Sequence, residues 1–81
     1  MKAKLTTIDK NGKVTNHRGT VDPETWAPRK IDFLEKIYKF DNITFSNPAP
    51  GSWTLDAYRS KGIPGTNGKE MEVHFILTLV D

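Results

Sequence analysis

The chain has 81 residues, no cysteine and a formal net charge of +2, from 12 lysines and arginines against 10 aspartates and glutamates. This length predicts one domain, residues 1–81, which buries only about 60–65% of the surface that its unfolded chain exposes. Without cysteine no disulfide can stabilise it, and the small charge does not favour nucleic acid or anionic membranes. The basic start lacks an apolar stretch, so we expect a cytoplasmic protein with no signal peptide and no membrane span.

The first predicted element is a β-hairpin over residues 4–18, because Asn11 and Gly12 tolerate the positive φ of tight turns. Two registers fit this segment. A two-residue Asn11-Gly12 turn would place two lysines opposite each other. A three-residue loop with Gly12 in the left-handed conformation pairs Ile8 with Val14 instead, and we predict this second register because it matches apolar with apolar.

A connector and the main helix follow the hairpin. In residues 19–27, Asp22 is predicted to cap a single helical turn, and the main helix is predicted at residues 28–40, with its proline in the first turn. Trp26 is interpreted as a structural residue that holds the helix entrance to the core. The predicted apolar stripe of the helix consists of Ile31, Phe33, Leu34, Ile37, Tyr38 and Phe40.

Three further strands are predicted after the helix, at residues 43–45, 53–59 and 69–80. Residues 46–51 contain two prolines and predict a stiff turn that no ladder strand crosses. Residues 60–68 contain three glycines and predict a long loop, which is either a plain connection or a recognition loop. The fold class is therefore α+β: an N-terminal β-hairpin, one main α-helix, then three antiparallel strands forming a sheet packed on the helix.

The last strand carries the strongest signal in the sequence. Its second face begins polar, with Glu72 and His74, and ends apolar, with Ile76 and Val80. A strand that is apolar on both faces must have each face packed against another part of the protein or against another molecule. The length of the last strand also predicts a central position in the sheet. The helix covers one face. Two alternatives remain open for the other: the N-terminal hairpin folds over it as a lid, or another molecule binds it.

The sequence offers no catalytic or cofactor motif. His17 and His74 are the only histidines, and a general base built from His74 with Asp56 or Tyr58 across two strands is a weaker interpretation than a surface cross-strand pair. Two histidines do not make a zinc site. The glycine-rich residues 62–68 lack the lysine and hydroxyl ending of a phosphate-binding loop and lead into a strand. We therefore expect no enzyme, no cofactor and no metal.

By elimination, the sequence favours a small protein-binding module of the adaptor or inhibitor type, a class common among bacterial and phage proteins, that binds another protein or a second copy of itself. The alternative is a nucleic-acid-binding protein that uses the basic N-terminal hairpin with Arg59 and Lys61. The predicted partner-binding residues lie on the outward sheet face and in the loop that follows it: Tyr58, Arg59, Lys61, Ile63, Pro64, His74 and Ile76.

Overall fold

The computed structural model describes residues 1–59 and 72–80. Within them one helix packs on one five-stranded antiparallel sheet, which confirms the α+β class. The hairpin strands belong to this same sheet, so the predicted three-stranded sheet is two strands too small. In chain order the elements are β1 (Ala3–Asp9), β2 (Val14–Asn16), α1 (Pro23–Lys36), β3 (Asn42–Ala49), β4 (Ser52–Tyr58) and β5 (Glu72–Leu79), and the spatial strand order is β2-β1-β5-β4-β3.

The hairpin has the predicted register. Ile8 pairs with Val14, and Gly12 adopts a φ of 80°. The Asp9 carboxylate accepts hydrogen bonds from two loop amides, each at 2.9 Å, which fixes the three-residue loop. Strand β2 ends at Asn16, so it is shorter than predicted.

Strand β5 is central, as predicted, because β1 pairs with one of its edges and β4 with the other. Leu5 of β1 and Trp53 of β4 both lie opposite Leu77. The antiparallel pairing of β3, β4 and β5 is also confirmed. The predicted start of the last strand, at residues 69–71, lies outside the described residues.

The helix starts earlier and ends earlier than predicted. Asp22 is its N-cap and accepts a hydrogen bond from the Glu24 amide at 3.1 Å, and Pro23 occupies the first turn. The single turn and the main helix are therefore one continuous helix, with Pro28 inside it. Proline there removes one backbone hydrogen bond, a cost that tertiary packing of the apolar helix face offsets.

The chain reverses direction directly after the helix. Lys39 adopts a left-handed φ of 58°, and the Phe40 amide donates to the Leu34 carbonyl at 3.2 Å, which turns Phe40 into the core. Because the helix ends before Ile37 and Tyr38, these side chains leave the predicted stripe. They are exposed by 63% and 42% respectively.

The core lies between the helix and one face of the sheet, called here the helix-covered face. Trp26 packs on it, with its ring centroid 5.4 Å from that of Phe75 in an edge-on contact, so the predicted contact with the core is present. Phe33, predicted in the apolar stripe, is 43% exposed on the side of the helix. The buried core cluster consists of Ala3, Leu5, Leu34, Phe40, Leu55, Ala57, Phe75 and Leu77.

Strand β3 continues through the segment that was predicted as a turn. It runs to Ala49 and includes Pro48, and the connection to β4 is only the two-residue turn Pro50-Gly51. Proline is compatible with this position because β3 is an edge strand and its pairing with β4 is irregular after Ser46. Gly51 has a φ of 77°, as the second central residue of such a turn requires.

Candidate functional site

The face of the sheet opposite the helix is called here the uncovered face, because among the described residues no helix or second sheet packs on it. Strand register fixes its composition, because directly opposite residues in an antiparallel sheet point to the same face. One row crosses all five strands. It consists of Val14, Ile8, His74, Asp56 and Thr44.

Of the two alternatives for the second face of β5, the lid is wrong, since the hairpin extends the sheet instead of covering it. Strand β1 pairs its backbone with the edge of β5, which satisfies polar groups that an exposed edge would leave without protein partners. Ile8 and Val14 therefore lie on the same face as Ile76, while Leu5 points to the helix. The hairpin enlarges the apolar surface that the lid alternative would have it bury. Val14 is 55% exposed and Tyr58 is 40% exposed.

Polar side chains surround Ile76 on this face. Thr6 and Thr54 lie directly opposite it on the two neighbouring strands. The Thr6 hydroxyl donates to the Asn16 side-chain oxygen at 2.9 Å, and the Ser46 and Thr54 hydroxyls lie 2.8 Å apart. An apolar centre within a hydrogen-bonded polar rim is the usual anatomy of a protein interface.

His74 connects two carboxylates near the centre of the uncovered face. Its Nδ1 lies 2.6 Å from Asp56 Oδ1, and its Nε2 lies 2.7 Å from Glu72 Oε1. The hydrogen bond to Asp56 is the largest cause that raises the pKa of His74 above 6.5, with the Glu72 bond adding to it and partial burial opposing it. Both partners are acceptors, so the doubly protonated ring satisfies both contacts.

This arrangement gives the His74 ring little capacity for acid–base catalysis. A general base needs one ring nitrogen free to face a substrate, whereas both nitrogens of His74 contact carboxylates. The predicted cross-strand pair with Asp56 is present. The geometry suits a charged, rigid cluster on the sheet surface.

We expect the stability of the protein to fall as the pH rises past the pKa of His74. A raised folded-state pKa gives stabilisation that is complete below about 6.5 and is lost as pH rises through the folded-state value. The side chain is 36% exposed, so solvent screening limits the effect to about 1 kcal/mol at most. Urea unfolding at about pH 6 and about pH 8.5 measures the difference, in a range where carboxylates stay ionised.

The His74→Gln variant is expected to lose this pH difference, because glutamine does not titrate. His17→Gln is the matched control: His17 contacts the Thr7 hydroxyl at 2.6 Å and is outside the carboxylate cluster. A pH difference that persists in His74→Gln and disappears in His17→Gln would show that the cluster has no such role.

Basic residues collect at one end of the sheet. Strand β1 ends where β5 begins, and β4 ends opposite the first residue of β5. This register places the hairpin loop, with exposed Lys10 and Lys13, at the same end as Arg59. The hairpin and Arg59, which the alternative nucleic-acid interpretation combined, therefore lie at one end of the molecule.

The structure groups some of the predicted interface residues and leaves others untested. Those on the uncovered face are Tyr58, His74 and Ile76. Arg59 follows β4 at the end of the sheet. The remaining three lie outside the described residues: Lys61, Ile63 and Pro64. Sequence reasoning missed Ile8 and Val14 as members of this surface. The predicted hairpin register places these two residues on one face of the hairpin, but it does not predict which other strand the hairpin pairs with.

A concave surface, also missed from the sequence, lies along the side of the helix. A cavity of about 480 Å³ there is lined by Trp26, Lys30 and Phe33 among others, and a neighbouring one of about 320 Å³ shares the last two. The Lys30 ammonium lies 5.4 Å from the ring centroid of Phe33 and 5.3 Å from that of Phe75. The spacing of these residues along one side of the helix is the sequence feature that could have indicated this surface.

In the part of the chain that the structure describes, no three acidic or histidine side chains are arranged to hold a metal ion. No helix in residues 1–59 and 72–80 has the length and apolar character needed to cross a membrane. Comparison with protein-family models, curated proteins and solved structures finds none that matches this chain.

Proposed function

We propose that this chain is a non-enzymatic protein-binding module that acts by occupying a surface of a partner protein with its uncovered face. The observation that carries the proposal is the one-sided sheet, in which apolar side chains lie on the face without a helix. Tyr58 and Val14 are well exposed there, and Ile8 and Ile76 are half-buried on the same face. Exposed apolar side chains that share one surface favour a binding role over a purely structural one.

The size of this face suits a modest interface. Five strands about 4.8 Å apart and about seven residues long give an area on the order of 500 Å². A stable interface usually buries about 800 Å² on each partner. The predicted recognition loop, with Ile63 and Pro64, follows directly after Arg59 and would supply additional contact area. Tyr58 and Ile63 are the proposed anchors.

The His74 cluster supports the protein partner over nucleic acid on this face. Asp56 and Glu72 place two carboxylates beside the apolar side chains, and these would repel a phosphate backbone. They would suit a partner that offers a hydrogen-bond donor or a cation. A second candidate, nucleic-acid binding, is favoured only at the end of the sheet where Lys10, Lys13 and Arg59 lie, although Asp9 and Glu72 lie at the same end.

Affinity capture from a source lysate separates the two candidates. The tagged protein is incubated with two halves of one lysate, of which one is nuclease-treated. The proposal predicts a single stoichiometric protein retained from both halves. Material that is lost after nuclease treatment, and whose binding weakens steeply with added salt, would contradict it in favour of nucleic acid.

A further inference from the structure

The two edges of the sheet are protected to very different degrees. Strand β2 is only three residues long and is flanked by Lys13 and Arg18. Strand β3 is eight residues long and contains no charged residue from Asn42 to Ala49. Natural sheets discourage edge-to-edge pairing with short strands and edge lysines. The β2 edge has both features, whereas the features of β3 that discourage pairing, Pro48 and an irregular register, come only after Ser46.

The first five residues of β3 form a regular edge. Their pairing with β4 is continuous from Asn42 to Ser46, and the irregularity and Pro48 come only afterwards. Ile43 and Phe45 point to the helix-covered face and Thr44 points to the uncovered face. Isoleucine, threonine and phenylalanine all favour extended structure, so this stretch is well suited to accept another strand.

The helix-covered face is incompletely covered next to this edge. A helix about 10 Å wide covers roughly two of five strands spaced about 4.8 Å apart. Phe45 accordingly remains 37% exposed, although it lies on the same face as the core. Ile43 and Trp53 beside it are only partly buried. Apolar surface therefore continues from the core to the β3 edge.

We propose that two copies of this chain form a symmetric dimer by antiparallel pairing of their β3 strands, centred on Thr44. In this register Ile43 lies opposite Phe45 of the second copy, and Asn42 lies opposite Ser46 of the second copy. Apolar side chains then meet on the helix-covered face and the pairing stops before Pro48. Centring the pairing on Phe45 instead would oppose Ile43 with Asn47 and bring the proline into the ladder.

A second copy fits this edge better than a charged peptide does. The strand carries no charge that a charged peptide could pair with. When two copies pair about Thr44, apolar positions lie opposite apolar positions and polar positions lie opposite polar positions. A two-fold axis normal to the sheet makes one ten-stranded sheet with both helices on the same side. The uncovered faces of the two copies become one continuous surface that the dimer contact does not cover. Dimerisation is therefore a property additional to the proposed binding of a partner protein.

Disulfide trapping tests the register directly, because the chain has no cysteine of its own. At the centre of the pairing, Thr44→Cys brings two Cα atoms to about 4.5–5.5 Å, within the range that disulfides span. Ser46→Cys is the matched control, since the two Ser46 positions would be roughly 13 Å apart along the pairing. We expect Thr44→Cys to form linked dimers at least about tenfold faster than Ser46→Cys.

Sedimentation of the purified chain tests the dimer without engineered cysteines. Wild-type protein is expected to dimerise with rising concentration, and Thr44→Lys to weaken the dimer at least about tenfold by opposing two charges. Thr78→Lys, on the uncovered face of β5, should leave the dimer unchanged. A monomeric wild type, equal linking of both cysteine variants, or dissociation by Thr78→Lys alone would overturn the proposal. No partner is present, so the result is independent of the proposed function.

Discussion

Replacement of Leu77 by alanine is expected to lower the free energy of unfolding by about 3–4 kcal/mol. Leu77 is fully buried on the central strand, opposite Leu5 on one side and Trp53 on the other. Truncation there leaves a cavity that neighbours on both sides cannot fill. A domain of this size has a total stability of about 4–12 kcal/mol, so the loss is roughly a quarter or more of the total.

Leu79→Ala is the matched control for this substitution. It removes the same atoms from the same face of the same strand, but Leu79 is 40% exposed, so we expect a loss of about 1 kcal/mol. Urea unfolding followed by circular dichroism measures both variants. If Leu77→Ala cost no more than Leu79→Ala, the helix-covered face of β5 would not be the centre of the core.

The second large effect is expected at the turn between β3 and β4, where Gly51→Ala should cost about 2 kcal/mol. Gly51 has a φ of 77°, which disfavours any side chain by roughly 1–2 kcal/mol. An added Cβ would also lie 3.2 Å from the Leu79 Cβ. The Gly51 carbonyl accepts a hydrogen bond from the Leu79 amide at 2.8 Å, so the two backbones cannot separate without losing that bond.

Gly12→Ala separates the conformational cost from the steric cost. Gly12 has nearly the same φ, 80°, but an added Cβ would have no atom within 4 Å. We therefore expect about 1 kcal/mol for Gly12→Ala, from the backbone conformation alone. Thermal or urea unfolding of the two variants gives the comparison. Equal losses would show that the close approach of Gly51 to Leu79 has no energetic weight.

Features that depend on local sequence were predictable. The hairpin register followed from Gly12 in the loop and from the match of Ile8 with Val14, which lie on the two strands beside that loop. The alternation of β4 likewise placed Leu55 and Ala57 in the core. In each case the chemistry of a few adjacent residues decides the structure.

Prolines caused two of the boundary errors. Pro28 was interpreted as the start of a helix, yet Asp22 supplies a stronger start signal through its side-chain hydrogen bond. Pro48 was interpreted as the end of a strand, yet proline is compatible with an edge strand, and β3 has a paired strand on one side only among the described residues. Whether a strand is at an edge depends on the whole sheet, so the sequence of residues 46–51 could not decide it.

The position of the hairpin in the sheet could not be predicted from the residues near it in the sequence. Leu5 and Leu77 pair across roughly 70 residues of chain, and no nearby residue specifies that contact. The same pairing decides the candidate site. Alternation along single strands placed Tyr58, His74 and Ile76 on one face, but only the strand order brings Ile8 beside them.

The most direct test of the uncovered face as a binding surface is a quantitative capture experiment with three variants. Tyr58→Ala and Ile76→Thr change this face, whereas Phe33→Ala removes a similarly exposed aromatic side chain from the helix on the opposite side. Each variant is first shown by circular dichroism to be folded. We predict that the first two lose at least about tenfold in affinity for the captured protein and that Phe33→Ala binds as the wild type does. Loss of binding in Phe33→Ala, with Tyr58→Ala and Ile76→Thr unaffected, would contradict the proposal and move the binding surface to the side of the helix.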